Sequence, residues 1–78
     1  MSIRAEIQLR ETVKKLREQY PVGTRVVLEE MDDKQAPPIG TKGTVLGVDD
    51  IASIMVRWDN GSRLHVLHGI DRCRKVDE

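Results

Sequence analysis

Aromatic residues are nearly absent. The 78-residue chain has one Trp, one Tyr and no Phe, which excludes a platform that stacks several nucleobases. It has a single cysteine, so no disulfide framework can form, and a reducing cytoplasm is the expected compartment. Neither sign of charge is in excess, since 13 Lys and Arg face 13 Asp and Glu. That balance argues against a protein that coats nucleic acid through net charge alone. No apolar run approaches the ~20 residues of a membrane span, and the opening MSIRAEIQLRE is charged throughout, unlike a signal peptide. What is present is 38% apolar and 33% charged residues, the mixture of one globular domain rather than a disordered tail. A chain this short buries only about 60% of its unfolded surface, so a thin core is expected.

Residues 2–20 contain no Gly or Pro and are rich in Glu, Lys, Arg, Gln and Leu, so they predict a helix. Ser2 is the expected N-cap, Glu11 and Lys15 form a favourable i,i+4 pair, and Pro21 closes the segment. Leu9, Val13, Leu16 and Tyr20 recur at 4, 3 and 4 residues and form one apolar stripe. Ile3 and Ile7 fall well over a quarter-turn from it at about 100° per residue. They read either as a frayed helix end or as a contact with a second chain or another protein.

Residues 21–78 change to short β segments separated by turn signals. Gly23 to Glu29 predicts a strand with Val26 and Leu28 facing one way. A long loop, 30–41, carries Pro37, Pro38 and Gly40. Lys42 to Asp49 is a second strand interrupted by Gly43 and Gly47, which signal a bulge, a bend or close backbone approach. Ser53 to Trp58 and Ser62 to Leu67 flank Asn60-Gly61, and a last short strand runs through Cys73 to Val76.

The hairpin register follows from the apolar pattern. A two-residue loop at Asn60-Gly61 would set Trp58 opposite Arg63 and Val56 opposite His65, mixing core and polar residues. A three-residue loop over 59–61 sets Val56 opposite Leu64 and Ile54 opposite Val66, with Trp58 closing the apolar face. A one-residue slip exchanges the faces, so the second register is expected, with a type I turn and Gly61 left-handed beside a bulge. Met55, Arg57, Arg63 and His65 would then form the outer face. The expected fold is mainly β with one N-terminal α-helix: a small five-stranded SH3-like barrel over 21–78 with the helix packed on it, as one domain.

The stretches YPVGTRVVLEEMDD, GTKGTVLGVDDI, WDNGS and GIDRCRKV together carry a family resemblance. From Tyr20 to Val76 the chain resembles the domain of unknown function 4314 family. The resemblance implies a small protein, or a domain of a larger one, from phages, plasmids and conjugative elements of Gram-positive bacteria. It implies no catalytic residues, because no activity is established for the family as a whole. A distant similarity to other GxxGxV barrels, ribosomal and transcription-factor modules among them, points to binding rather than chemistry. The chain departs from the family pattern at His65 and His68.

His65, His68 and Cys73 gather within HVLHGIDRC. Borderline and soft donors in so short a span raise a structural zinc site, with Asp71, another carboxylate or water as the fourth ligand. The opposing reading has His65 exposed, His68 in a turn and Cys73 buried as a small hydrophobe. The spacing H-x2-H-x4-C is not that of a standard finger. The aspartate pairs 32–33 and 49–50 read as turn residues that bond their own backbone rather than as an acid–base pair. Gly40-Thr41-Lys42-Gly43 lacks the spacing of a phosphate-binding loop. Arg57, Arg63, Arg72, Arg74 and Lys75 crowd the C-terminal third. They read as a local phosphate-binding patch or as a solvated face offset by Glu29, Glu30, Asp77 and Glu78.

The expected function is a non-enzymatic protein-binding module of a phage or mobile element. An inhibitor of a host defence nuclease, of the anti-CRISPR type, is one concrete form, and only the setting implied by the resemblance suggests it. The alternative is a nucleic-acid-binding barrel using the Arg and Lys patch, and a structural zinc is compatible with either. The partner expected first is a protein, with the chain a monomer or a homodimer through the N-terminal helix.

Overall fold

The computed structural model describes residues 3–77, so the expected cap at Ser2 lies outside the described residues. One helix precedes five strands: α1 (Ile3–Gln19), β1 (Arg25–Glu30), β2 (Lys42–Val48), β3 (Ser53–Trp58), β4 (Val66–Leu67) and β5 (Arg72–Lys75). The last helical turn closes on a 2.7 Å bond from the Tyr20 N–H to the Leu16 carbonyl, immediately before Pro21. No helix among the described residues is long and apolar enough to cross a membrane.

The strands form one sheet in the order β4-β3-β2-β1-β5, and every named pair of strands is antiparallel. β4 and β5 are its two edges, so the sheet is not closed by strand pairing. Alternation sets the inner face. Val26, Leu28, Val45, Val48, Ile54, Val56, Trp58, Val66 and Cys73 build the core with Val13 and Leu16 of α1. Val27, between Val26 and Leu28, is also buried yet stands outside that cluster, because it faces the other side of the sheet.

Close approach explains one glycine. Gly43 lies opposite Trp58 in the β2–β3 ladder. A Cβ at Gly43 would come within 2.6 Å of Val56 Cγ1 and 2.8 Å of Trp58 Cε3. The bulge expected in this strand falls between Val45 and Gly47.

The hairpin turn is the expected one. The Gly61 N–H donates to the Trp58 carbonyl at 2.9 Å, the Trp58 N–H donates to the Ser62 carbonyl at 3.0 Å, and Gly61 has φ 93°. These are the bonds of a three-residue loop with a left-handed glycine. Ile54 pairs with Val66 as expected. The strand expected over Ser62–Leu67 is nevertheless only two residues long. Trp58 supplies the reason. Its buried indole N–H needs an acceptor and takes the Leu64 carbonyl at 2.9 Å, while the Leu64 N–H turns to Ser62 Oγ at 3.4 Å. The Leu64 backbone groups that would have paired with Val56 are thus diverted, and Val56 and Leu64 form no ladder pair.

The helix joins the sheet through its C-terminal half. Val13 and Leu16 are buried, and Leu9 and Tyr20 pack beside them half-buried. Arg17 donates from Nε and Nη2 to the Val48 carbonyl at 3.2 and 3.0 Å, and from Nη2 to Asp50 at 3.2 Å. Seventeen residues give a rod about 25 Å long, and the molecule measures 39 × 27 × 16 Å. Its radius of gyration, 12.6 Å, exceeds the roughly 11.5 Å of a rounder chain of this length.

Candidate functional site

Ile3 and Ile7 remain 75% and 48% exposed on the first two turns of α1. Both lie on the flank away from the core stripe, as the periodicity predicts. A groove of about 630 Å³ between the helix and the β2–β3 turn is lined by other residues of α1 and by Asp50. Leu9 and Val13 form its apolar part, and Glu6, Arg10, Arg17 and Asp50 line its charged part. The sequence pointed to the two isoleucines but not to the groove, because the proximity of Asp50 to the helix is a tertiary fact.

The candidate metal ligands are not brought together. His65 lines one groove with Asp32, Asp33, Arg63 and Ile70. His68 lines another with Tyr20 and Cys73, and forms an isolated bridge with Asp71. Cys73 is only 8% exposed, in the core opposite Leu28. Burial, reinforced by Glu29, pushes its thiol up to about 11. Asp71 is occupied, accepting the Leu67 N–H at 2.9 Å. Among the described residues no group of three or more His, Cys, Asp or Glu side chains is placed to hold a metal ion. His65 thus lines a different groove from His68 and Cys73. Sequence proximity failed here because the backbone passes from an exposed strand end, through the turn at Gly69, into a buried strand.

Both aspartate pairs contribute to turns. Asp49 Oδ1 accepts the N–H groups of Ile51 and Ser53 at 3.2 and 2.9 Å, and Asp33 Oδ1 accepts that of Gln35 at 2.7 Å.

The five cations of the C-terminal third also separate. Arg57 and Arg74 lie on the outer face of the sheet. Arg72 approaches Glu30 at 3.5 Å. Arg63 lines the groove of His65, and Lys75 sits 5.4 Å over the Tyr20 ring. Arg57 and Arg63 are not ladder partners, so the expected outer face of the hairpin does not assemble. Two cations from earlier in the chain join Arg57 and Arg74 instead. Arg25 pairs with Thr44, which pairs with Arg57, and Val27 pairs with both Lys42 and Arg74. Asp59 sits among them, bound by Arg25 at 2.6 and 2.9 Å. Those bonds, with the charges of Arg25, Lys42 and Arg57, hold its carboxyl below the usual range. Arg25 and Lys42 went unnoticed in the sequence because only the β1–β2 register, set across a long loop, aligns them with Arg57 and Arg74.

No curated protein matches the chain. Residues 9–76 match the pattern of a family described as a domain of unknown function, DUF4314. That match takes in the whole sheet and the C-terminal half of α1, and the chain belongs to the DUF4314 family.

Proposed function

We propose that the protein is a small, non-enzymatic protein-binding module of the cytoplasm whose contact surface is the N-terminal half of α1. The observation that carries this reading is the exposure of Ile3 and Ile7 at 75% and 48% on one flank of α1. An isolated apolar residue on a surface is ordinary. Two on one helix flank, one turn apart, form a surface that a partner would cover. The non-enzymatic part is supported by the side chains that could have done chemistry. Asp33 and Asp49 accept turn N–H groups, and the Cys73 thiol is buried and held protonated. A single buried thiol also suits a reducing compartment. Self-pairing is the weaker form of the reading, because a stable interface takes about 20–30 residues a side, more than one helix flank supplies. An inhibitor docking on a host defence nuclease is one form such a module takes, supported by the mobile-element setting that the family resemblance implies.

The test is affinity capture from host lysate with wild-type protein and with the Ile3→Asp/Ile7→Asp double variant. Wild type should retain one protein in stoichiometric amount. The double variant should lose it while melting within a few degrees of wild type. Equal capture by both, or no stoichiometric protein with either, overturns the proposal.

A further inference from the structure

We infer that Asn60 is a site of self-modification, where the Gly61 backbone nitrogen attacks the carboxamide and water then yields aspartate and isoaspartate. The site is the tip of the β3–β4 hairpin, and the inference does not rest on the protein-binding reading.

The step needs only water. The Gly61 nitrogen gives its proton to solvent base and bonds to Asn60 Cγ. The Cγ–Nδ2 bond breaks, and the amide nitrogen takes up a proton and leaves as ammonia. A five-membered succinimide remains, and water opens it at one of its two carbonyl carbons. Breaking the new bond to Cγ gives aspartate. Breaking the bond to the main-chain carbonyl carbon gives isoaspartate.

The sequence and the turn supply the conditions. Asn60 is the sole asparagine of the chain, and glycine follows it. A side chain on the following residue would crowd the attacking nitrogen, and glycine permits the close approach. Asn60 and Gly61 are both exposed to water, and the space around Gly61 is open, with nothing within 4 Å of where a Cβ would stand.

The same turn holds both reacting groups. The Gly61 N–H donates to the Trp58 carbonyl at 2.9 Å, and Asn60 Oδ1 accepts the Ser62 N–H at 3.1 Å. The nitrogen must lose that proton, and the carboxamide must swing away from Ser62, so both bonds open before the ring closes. The flanks stay fixed. The Asp59 N–H donates to the Lys42 carbonyl at 2.9 Å, its carboxylate is held by Arg25, and the Trp58 indole is bound to the Leu64 carbonyl. Local opening of residues 60–62, rather than unfolding, therefore gates the reaction.

The two products meet the turn differently. Aspartate keeps the main chain and an oxygen that can accept the Ser62 N–H. Isoaspartate routes the main chain through its β-carbon and lengthens the three-residue loop by one atom. Loop length sets the hairpin register, so isoaspartate loosens the hairpin.

The experiment incubates the untagged full chain at pH 8 beside a synthetic peptide of residues 57–63. Chromatography with mass spectrometry then separates Asn, Asp and isoaspartate at position 60. A hydrogen bond shifts an equilibrium by roughly fivefold and two must open, so conversion should run roughly 30-fold slower than in the peptide. Urea at 1 M should change the rate by less than about twofold, because opening a turn exposes little surface. Asn60→Asp should melt within a few degrees of wild type, and the isolated isoaspartyl form should melt lower than Asn60→Asp. Conversion within about twofold of the peptide, or none after about one hundred peptide half-lives, overturns the inference. A larger speeding in 1 M urea places the reaction in the unfolded chain and overturns it too. Equal melting of the isoaspartyl form and Asn60→Asp overturns the link to the hairpin.

Discussion

The two halves of α1 share one composition and meet opposite surroundings. The C-terminal half buries Val13 and Leu16 at 5% and 4% exposure and anchors Arg17 to the Val48 carbonyl. The N-terminal half leaves Ile3 and Ile7 outside any core. Intrinsic propensity is similar in both, as both are free of Gly and Pro. Tertiary packing fixes one half, and the other continues from it, because extending a helix costs far less than starting one. Within α1, the exposed isoleucines therefore lie in the half that the sheet does not hold.

The strongest way to break this comparison is to truncate one side chain in each half. Leu16→Ala should cost about 2–5 kcal/mol, as large-to-small changes in a packed core do. Ile7→Ala should shift stability by less than about 0.5 kcal/mol, like other surface changes. Urea melts of both variants check it, and equal losses would erase the distinction between the halves. A smaller effect is expected at the sheet that receives the helix. Gly43→Ala pushes a methyl into Val56 and Trp58, an overpacking cost of about 1–3 kcal/mol, to be read from the thermal midpoint. Arg17→Met keeps the aliphatic stem and removes the bonds to the Val48 carbonyl. It should cost about 1 kcal/mol, and hydrogen exchange should speed up in the last turns of α1 before the sheet core changes.

The mildest expectation concerns pH. The Cys73 thiol is pushed up from about 9 to about 11 by burial first and then by Glu29. The thiolate is the charged form, and the folded state disfavours it. The contribution is therefore whole below about pH 9 and is lost as pH rises towards 11. Cys73→Ala should show a shallower fall of the melting temperature across that window than wild type. A thiol reagent at pH 8 should react with Cys73 only as fast as the protein opens.

Much of the fold was legible because its signals are local. Ile54, Val56 and Trp58 on one strand, set against Val66 across Asn60-Gly61, admit one loop length that keeps the apolar residues together. The observed turn bonds are those of that loop. Leu64 was misplaced for a tertiary reason, since nothing in its neighbourhood says that an indole will claim its carbonyl. The sites fared worse. His65, His68 and Cys73 are close in sequence but divided between an exposed edge and the core. Arg57 and Arg74 are far from Arg25 and Lys42 in sequence and near them across the ladder. In a sheet, the register decides which charges share a face, and a loop as long as 31–41 hides the register of the strands it joins.

The proposed function places the contact surface on the bare half of α1. Its most direct test is a hydrogen-exchange footprint of the protein with and without the stoichiometric partner captured from lysate. Slowed exchange is predicted in residues 3–12 and in the β2–β3 turn around Asp50, with residues 62–75 unchanged. Slowing confined to residues 62–75, or none in α1, would contradict it.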